Sequence, residues 1–131
     1  MGTQLFMGLM SGTSLDGVDG VLVDFSAGTP VVVQHDYLAF APAFAAELLA
    51  LNSPGDNEVH RAALAANTLA RSYAAVVQRM LAAAGIGPGA VNAIGAHGQT
   101  IRHRPQEFDG SGYTVQLNNP ALLAECAGID V

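Results

Sequence analysis

Apolar residues recur in two rhythms along this chain, and the rhythm changes at glycine-rich breaks. Gln4 to Met10 is apolar along most of its length and predicts a strand. Ser11 to Gly17 is a turn cluster of glycine, serine and threonine. Val18 to Phe25 resumes as a strand, with Val21, Leu22 and Val23 bounded by Asp19 and Asp24. Ser26 to Pro30 is a second turn. Val31 to Phe40 predicts a third strand, placing Val31, Val33 and His35 on one face by period two. Three strands joined by short turns make an antiparallel meander.

The rhythm then becomes helical. A short helix is expected near Ala43 to Leu51, and Asn52 to Gly55 breaks it. Asp56 or Asn57 can cap a long helix running to about Ala84. Val59, Ala66, Leu69, Tyr73, Val76 or Val77 and Met80 form its apolar stripe, and Gly85 stops it. Gly85-Ile86-Gly87-Pro88-Gly89 looks like a nucleotide loop, but it follows a helix and precedes a strand, the wrong order for that fingerprint. Val91 to Ala96 predicts a buried strand leading into His97-Gly98-Gln99-Thr100. A polar stretch with Pro105, Gly110 and Gly112 follows, then a short strand over Thr114 to Leu117. Asn119 caps a last helix with Pro120 at its first position, and Gly128 closes it. Ile129-Asp130-Val131 opens a new apolar run, which reads as the first residues of a truncated strand.

Composition narrows the chemistry. The chain has 131 residues, half of them hydrophobic and 12% charged, which suits one globular domain. The net charge of −6 disfavours nucleic acid and anionic membrane as partners. All five basic residues are arginine, so neither a Schiff base nor a P-loop lysine is available. Phosphate charge would have to be met by backbone N–H groups and a metal. Cys126 stands alone, forms no intrachain disulfide, and is expected as a small buried hydrophobe on a helix. Met7, Met10 and Met80 are expected in the core, and Glu107 and Asp109 in a solvated loop. A soluble cytoplasmic protein is the default expectation.

Two segments carry candidate chemistry. Met10-Ser11-Gly12-Thr13-Ser14-Leu15-Asp16-Gly17-Val18-Asp19 sits on a hairpin tip. Small residues there let a ligand approach the backbone, and successive N–H groups can form an anion nest. Ser11, Thr13 and Ser14 add hydroxyl donors, and Asp16 and Asp19 can orient waters on Mg²⁺. Residue types alone leave a plain hairpin turn equally open. The second segment, Gly95 to Pro105, follows a buried strand, a usual ligand position in α/β sheets. His97 and Gln99 could donate to sugar hydroxyls or a carboxylate, while a purely structural histidine at a strand end also fits. The spacing of His97 and His103 is not that of a zinc site.

Gly8-Leu9-Met10-Ser11-Gly12-Thr13-Ser14-Leu15-Asp16-Gly17-Val18-Asp19 resembles the opening motif of the anhydro-N-acetylmuramic acid kinases. Gly95-Ala96-His97-Gly98-Gln99-Thr100-Ile101-Arg102-His103-Arg104-Pro105 resembles their G-x-H-G-Q-T-x-x-H-x-P pattern at every fixed position. Tyr113 to Leu117 resembles a third segment, with Asn118 where that pattern has glycine, and Ala127-Gly128-Ile129 resembles the stretch before a D-F-R-x-x-D motif.

The resemblance implies the N-terminal domain of an actin-like ATPase (ribonuclease H-like) fold over residues 1–131. Its expected order is three antiparallel strands, then α-β-α, truncated before the last strand and without a second domain. It further implies that Gly12, Thr13, Ser14, Leu15, Asp16, Gly17, Val18 and Asp19 contact ATP. Asp16 and Asp19 would reach Mg²⁺ through water. His97, Gly98, Gln99 and Thr100 would line the sugar site, while His103, Arg102 and Arg104 suit a solvated loop equally well. The implied reaction opens the 1,6-anhydro ring of 1,6-anhydro-N-acetylmuramic acid with water and phosphorylates O6, in peptidoglycan recycling. The general-base aspartate would lie beyond Val131, so no catalytic residue is expected within the chain, which alone should be inactive. A homodimer is the implied assembly. A kinase for another sugar and a non-enzymatic assembly module are the alternatives.

Overall fold

The computed structural model describes residues 2–131. Strands β1 (Leu5–Ser11), β2 (Gly17–Asp24) and β3 (Val31–Ala39) form the expected antiparallel meander. β4 (Val91–Ala96) lies parallel to β1 on its other side, giving the order β3-β2-β1-β4. Between them come helices α1 (Pro42–Ala50) and α2 (Glu58–Ala84), and α3 (Pro120–Ala127) closes the order. Ile129 is buried, and the Asp130 carbonyl accepts from the Ile94 N–H at 2.8 Å, so the last residues run along the free edge of β4.

Alternation decides which side of the sheet is covered. Leu5, Met7 and Leu9 of β1, with Val18 and Leu22 of β2 and Ile94 of β4, face the helices. The stripe of α2 meets them through Leu69, Tyr73, Val76, Val77 and Met80, and α3 adds Leu123 and Ala127. Gly20 makes this approach possible, because a Cβ there would lie 2.5 Å from Val76 Cγ1. The opposite face, with Phe6, Gly8, Met10, Val21 and Gly95, carries no helix among the described residues. Met10 is 53% exposed there and is not a core residue, because its parity on β1 is opposite to that of Met7 and Leu9.

Helix ends follow local chemistry with one departure. Gly85 ends α2 at φ +66°, and the Ile86 N–H reaches back to the Leu81 carbonyl at 3.1 Å. Asn119 caps α3 by accepting from the Leu122 N–H at 3.1 Å. Asn57 precedes α2 but makes no side-chain cap, and it adopts φ +55°, a left-handed conformation instead of the extended one usual at a capping position.

The stretch from Gln99 to Gly112 is not an irregular polar loop. β5 (Gln99–Pro105) pairs antiparallel with β6 (Gly112–Leu117) as a separate two-stranded hairpin. Its polar composition hid it, since only Gln99, Ile101 and Leu117 are buried. Ile101 and Leu117 join Leu48, Leu51, Ala65 and Ala66 in a second cluster that docks the hairpin on α1 and α2. Arg102 adds an ion pair to Glu58 at the start of α2. At the exposed tip, Arg104 pairs with Glu107 at 2.7 Å and the Asp109 carboxylate accepts from the Ser111 and Gly112 N–H groups, so both acids are solvated yet engaged. Cys126 is exposed on α3 rather than buried, because Leu123 and Ala127 take the inward positions of that short helix.

Candidate functional site

The two candidate segments leave the sheet from its two parallel strands, β1 and β4, at the same end. The hairpin tip follows the C-terminal end of β1, and the His97 loop follows the C-terminal end of β4. Ligands of α/β sheets gather at this end, where loops diverge and backbone donors are free. The His97 N–H continues the ladder by donating to the Leu9 carbonyl at 3.0 Å, which keeps the loop beside β1.

The hairpin is shaped by small side chains and two specific turns. The Leu15 N–H donates to the Gly12 carbonyl at 3.2 Å, and Leu15 adopts φ +56°. The Asp16 carbonyl accepts from the Phe40 N–H at 2.9 Å, tying the tip to the end of β3. Gly17 is packed so tightly that a Cβ would lie 2.3 Å from the Leu38 carbonyl oxygen. Thr13, Ser14, Asp16 and Asp19 are exposed, Gly12 and Leu15 are half-buried, and Gly17 and Val18 are buried. Val18 belongs to the core, so only its backbone is open to a ligand contact.

The Ser14 hydroxyl donates to Asp16 Oδ1 at 2.7 Å. That bond, more than any other contact, holds the Asp16 carboxyl below its ordinary value. Asp16 therefore stays ionised further into acid, as a metal-water partner must. The Asp16 titration midpoint, followed by carboxyl NMR, should lie below 3.8, and Ser14→Ala should move it upward. An unmoved midpoint would show that the hydroxyl does not set it. Asp19 pairs across the strands with Tyr37, and its Oδ1 lies 3.4 Å from His35 Nε2. Both carboxylates act on the Tyr37 phenol, which is raised above its ordinary value by desolvation first and by these charges second.

No group of three or more His, Cys, Asp or Glu side chains is arranged to hold a metal among the described residues. Mg²⁺ needs only one or two carboxylates when nucleotide phosphates and water complete its shell, so Asp16 and Asp19 fit that role.

The second segment divides in two. The His97 side chain is exposed, with its Nε2 3.2 Å from Gln116 Nε2. With the Gln116 amide donating, that ring nitrogen accepts and the ring proton sits on Nδ1. Gly98 lies flat on β6, where a Cβ would be 2.5 Å from the Leu117 carbonyl oxygen. Gln99 is wholly buried: its Oε1 accepts from the Ser11 hydroxyl, and its Nε2 donates to the Thr100 carbonyl at 3.2 Å. Its side chain thus sits under the loop instead of being presented on it, and Thr100 is half-buried. His103 bonds Thr114 at 2.8 Å and Arg104 pairs with Glu107, both within the hairpin, while Arg102 ties the hairpin to Glu58 of α2.

Asp19 and His97 line one concavity of about 580 Å³ on the open face of the sheet. Gly8 and Gly95 contribute no side chains to its floor. The structure also brings in Tyr73, to which the sequence pattern assigns no role at the site, and Asn118, which stands where the family pattern has glycine. Tyr73 of α2 donates its hydroxyl to the His97 carbonyl. Asn118 donates to the Ala96 carbonyl at 3.2 Å and accepts from the Asn119 N–H at 2.9 Å. A glycine at position 118 could make neither bond. Tyr73 carried no signal of its own, because its place in the apolar stripe reads as core.

Among the described residues no helix is long and apolar enough to cross a membrane. Residues 4–131 match the family described as anhydro-N-acetylmuramic acid kinase. Proteins of that name from Albidiferax ferrireducens and Variovorax paradoxus are 64% and 62% identical over 98% and 100% of this chain. One from Cupriavidus metallidurans is 55% identical over 98% of it. The chain spans about a third of the length of these relatives, 33 to 35%. With both motifs at one end of the sheet and a family match that runs almost end to end, the chain belongs to the anhydro-N-acetylmuramic acid kinase family.

Proposed function

We propose that this chain supplies the phosphate hairpin and the sugar loop of an ATP-dependent kinase acting on 1,6-anhydro-N-acetylmuramic acid. In the whole protein, water adds to the anomeric carbon as the bond from that carbon to O6 breaks. O6 takes the γ-phosphoryl group, giving N-acetylmuramic acid 6-phosphate and ADP. The step serves peptidoglycan recycling, and the base that activates water is an aspartate of the D-F-R-x-x-D motif of the family. A homodimer is the assembly proposed with it.

One observation carries the reading. Two motifs 88 residues apart meet through the buried Ser11–Gln99 hydrogen bond, with one on each of two adjacent parallel strands. Phosphoryl transfer needs position and charge neutralisation more than covalent help. The exposed Thr13 hydroxyl and the backbone N–H groups of the tip bind phosphate oxygens in place of a lysine, while the Ser14 hydroxyl holds Asp16. Gly12 keeps the backbone open to them, and Leu15, Gly17 and Val18 shape the tip. Asp16 and Asp19 would orient the waters of a Mg²⁺ ion, whose charge would offset that of the phosphates. His97 offers its Nδ1–H, and Gly98 and Thr100 shape the loop that faces the sugar.

At the length of its relatives, the protein should release ADP with the anhydro sugar and not with ordinary hexoses. His97→Ala should raise the sugar KM or lower kcat about tenfold, the scale of one lost hydrogen bond, with the KM for ATP nearly unchanged. Activity with a plain hexose alone would exclude the ring-opening chemistry. No ADP release with any sugar would exclude the kinase.

A further inference from the structure

Beneath the two candidate loops lies a small group of buried polar atoms that touches no open surface. Ser11, at the end of β1, is 1% exposed and Gln99, at the start of β5, is not exposed at all. Each would cost free energy if left unpaired, on the order of 1–3 kcal/mol for a buried polar group, and they satisfy one another. Tyr73 reaches the same place from the middle of α2. Its hydroxyl donates to the His97 carbonyl, and the Ser11 backbone N–H faces the Tyr73 hydroxyl oxygen. The ring is fully buried, which removes most of its freedom and fixes where the hydroxyl lies. One rigid helix therefore holds both loops from below, at the residue before the phosphate tip and at the first residue of the sugar loop.

We infer that Tyr73 and the Ser11–Gln99 pair are positioning residues that set the sugar loop against the phosphate hairpin without touching either ligand. The inference rests on the assignment of the hairpin to ATP and of the His97 loop to the sugar. In-line transfer from ATP to a sugar oxygen depends on the separation of these two loops. A displacement well under the length of a bond is enough to lower the rate while binding persists.

The test uses the protein at the length of its relatives, with 1,6-anhydro-N-acetylmuramic acid and ATP as the probes. Tyr73→Phe removes one hydroxyl and keeps the ring; Ser11→Ala removes the other donor. Each should lower kcat about tenfold and move either KM by no more than about twofold. If the three residues act as one unit, the double variant should lose little more than the worse single one. Full multiplication of the two losses, or a kcat within twofold of the parent in a folded Tyr73→Phe protein, would overturn the inference. A residue that only supports the fold would shift the melting temperature and leave kcat of the folded protein alone.

Amide hydrogen exchange gives a readout that needs no activity. Tyr73→Phe should speed exchange at both Ser11 and His97 about tenfold, and unchanged exchange at either amide would overturn the inference whatever the substrate. Faster exchange at both amides in a protein that uses no sugar would instead overturn the kinase reading and leave Tyr73 as the residue that positions the loops.

Discussion

Tyr73→Ala should unfold more easily than the parent by about 3–5 kcal/mol, the usual cost of emptying a large aromatic site in a core. Three losses combine there. The ring is fully buried among Leu69, Val76, Val77 and the sheet residues of the main cluster, so its removal leaves a cavity between α2 and the sheet. The His97 carbonyl loses its donor. The Ser11 backbone N–H also loses the hydroxyl oxygen it faces. Since a domain of this size is stable by roughly 5–15 kcal/mol, the loss is a large fraction of the whole. Urea unfolding followed by circular dichroism would measure it, and a shift below about 1 kcal/mol would contradict this account of the core. The parent should also lose stability as pH rises above 10, the ordinary tyrosine value. Burial raises the folded phenol above that value, so above it the unfolded chain alone releases the proton. Tyr73→Phe should reduce that slope, leaving the part that comes from Tyr37.

Gly17→Ala is expected to have the second largest effect, and to strike the proposed phosphate hairpin directly. A methyl group at this position would stand 2.3 Å from the Leu38 carbonyl oxygen and 2.8 Å from the Tyr37 ring. A ring can turn aside, but a carbonyl locked in the β2–β3 ladder cannot do so without moving the strand. Overpacking of this kind costs on the order of 1–3 kcal/mol. Relief requires β2 to part from β3 where Asp16 binds the Phe40 N–H, so the tip shifts with it. In the protein at the length of its relatives, the KM for ATP should rise about tenfold or more, with a smaller change for the sugar. Unchanged ATP kinetics would mean that the tip does not meet the nucleotide.

The local order of the chain was legible because each element there buries one face. β1 and β2 alternate against α2, α2 carries a stripe of helical period, and glycine stops α2 and α3 in left-handed conformations. Periodicity reports such one-sided burial directly. The two motif segments were legible as runs of glycine, hydroxyl and acid that no core requires, and their place at strand ends followed from the same pattern. Resemblance then supplied what pattern could not, the reaction and the ligands.

The tertiary structure decided the remainder, in each case because the partner is distant in sequence. The β5–β6 hairpin buries too few side chains to print a period of two, and it is held by cross-strand pairing and by α1 and α2. Gln99 reads as a candidate sugar contact until Ser11, 88 residues away, is seen to occupy its amide. Tyr73 reads as plain core until its hydroxyl meets the His97 carbonyl, 24 residues on. Met10 and Cys126 have the composition of core residues and the exposure of surface ones, because strand parity and helix phase, not residue type, choose which side faces inward. Residue order determined the elements and the loops that carry chemistry; packing determined which of those side chains face a ligand and which hold the others in place.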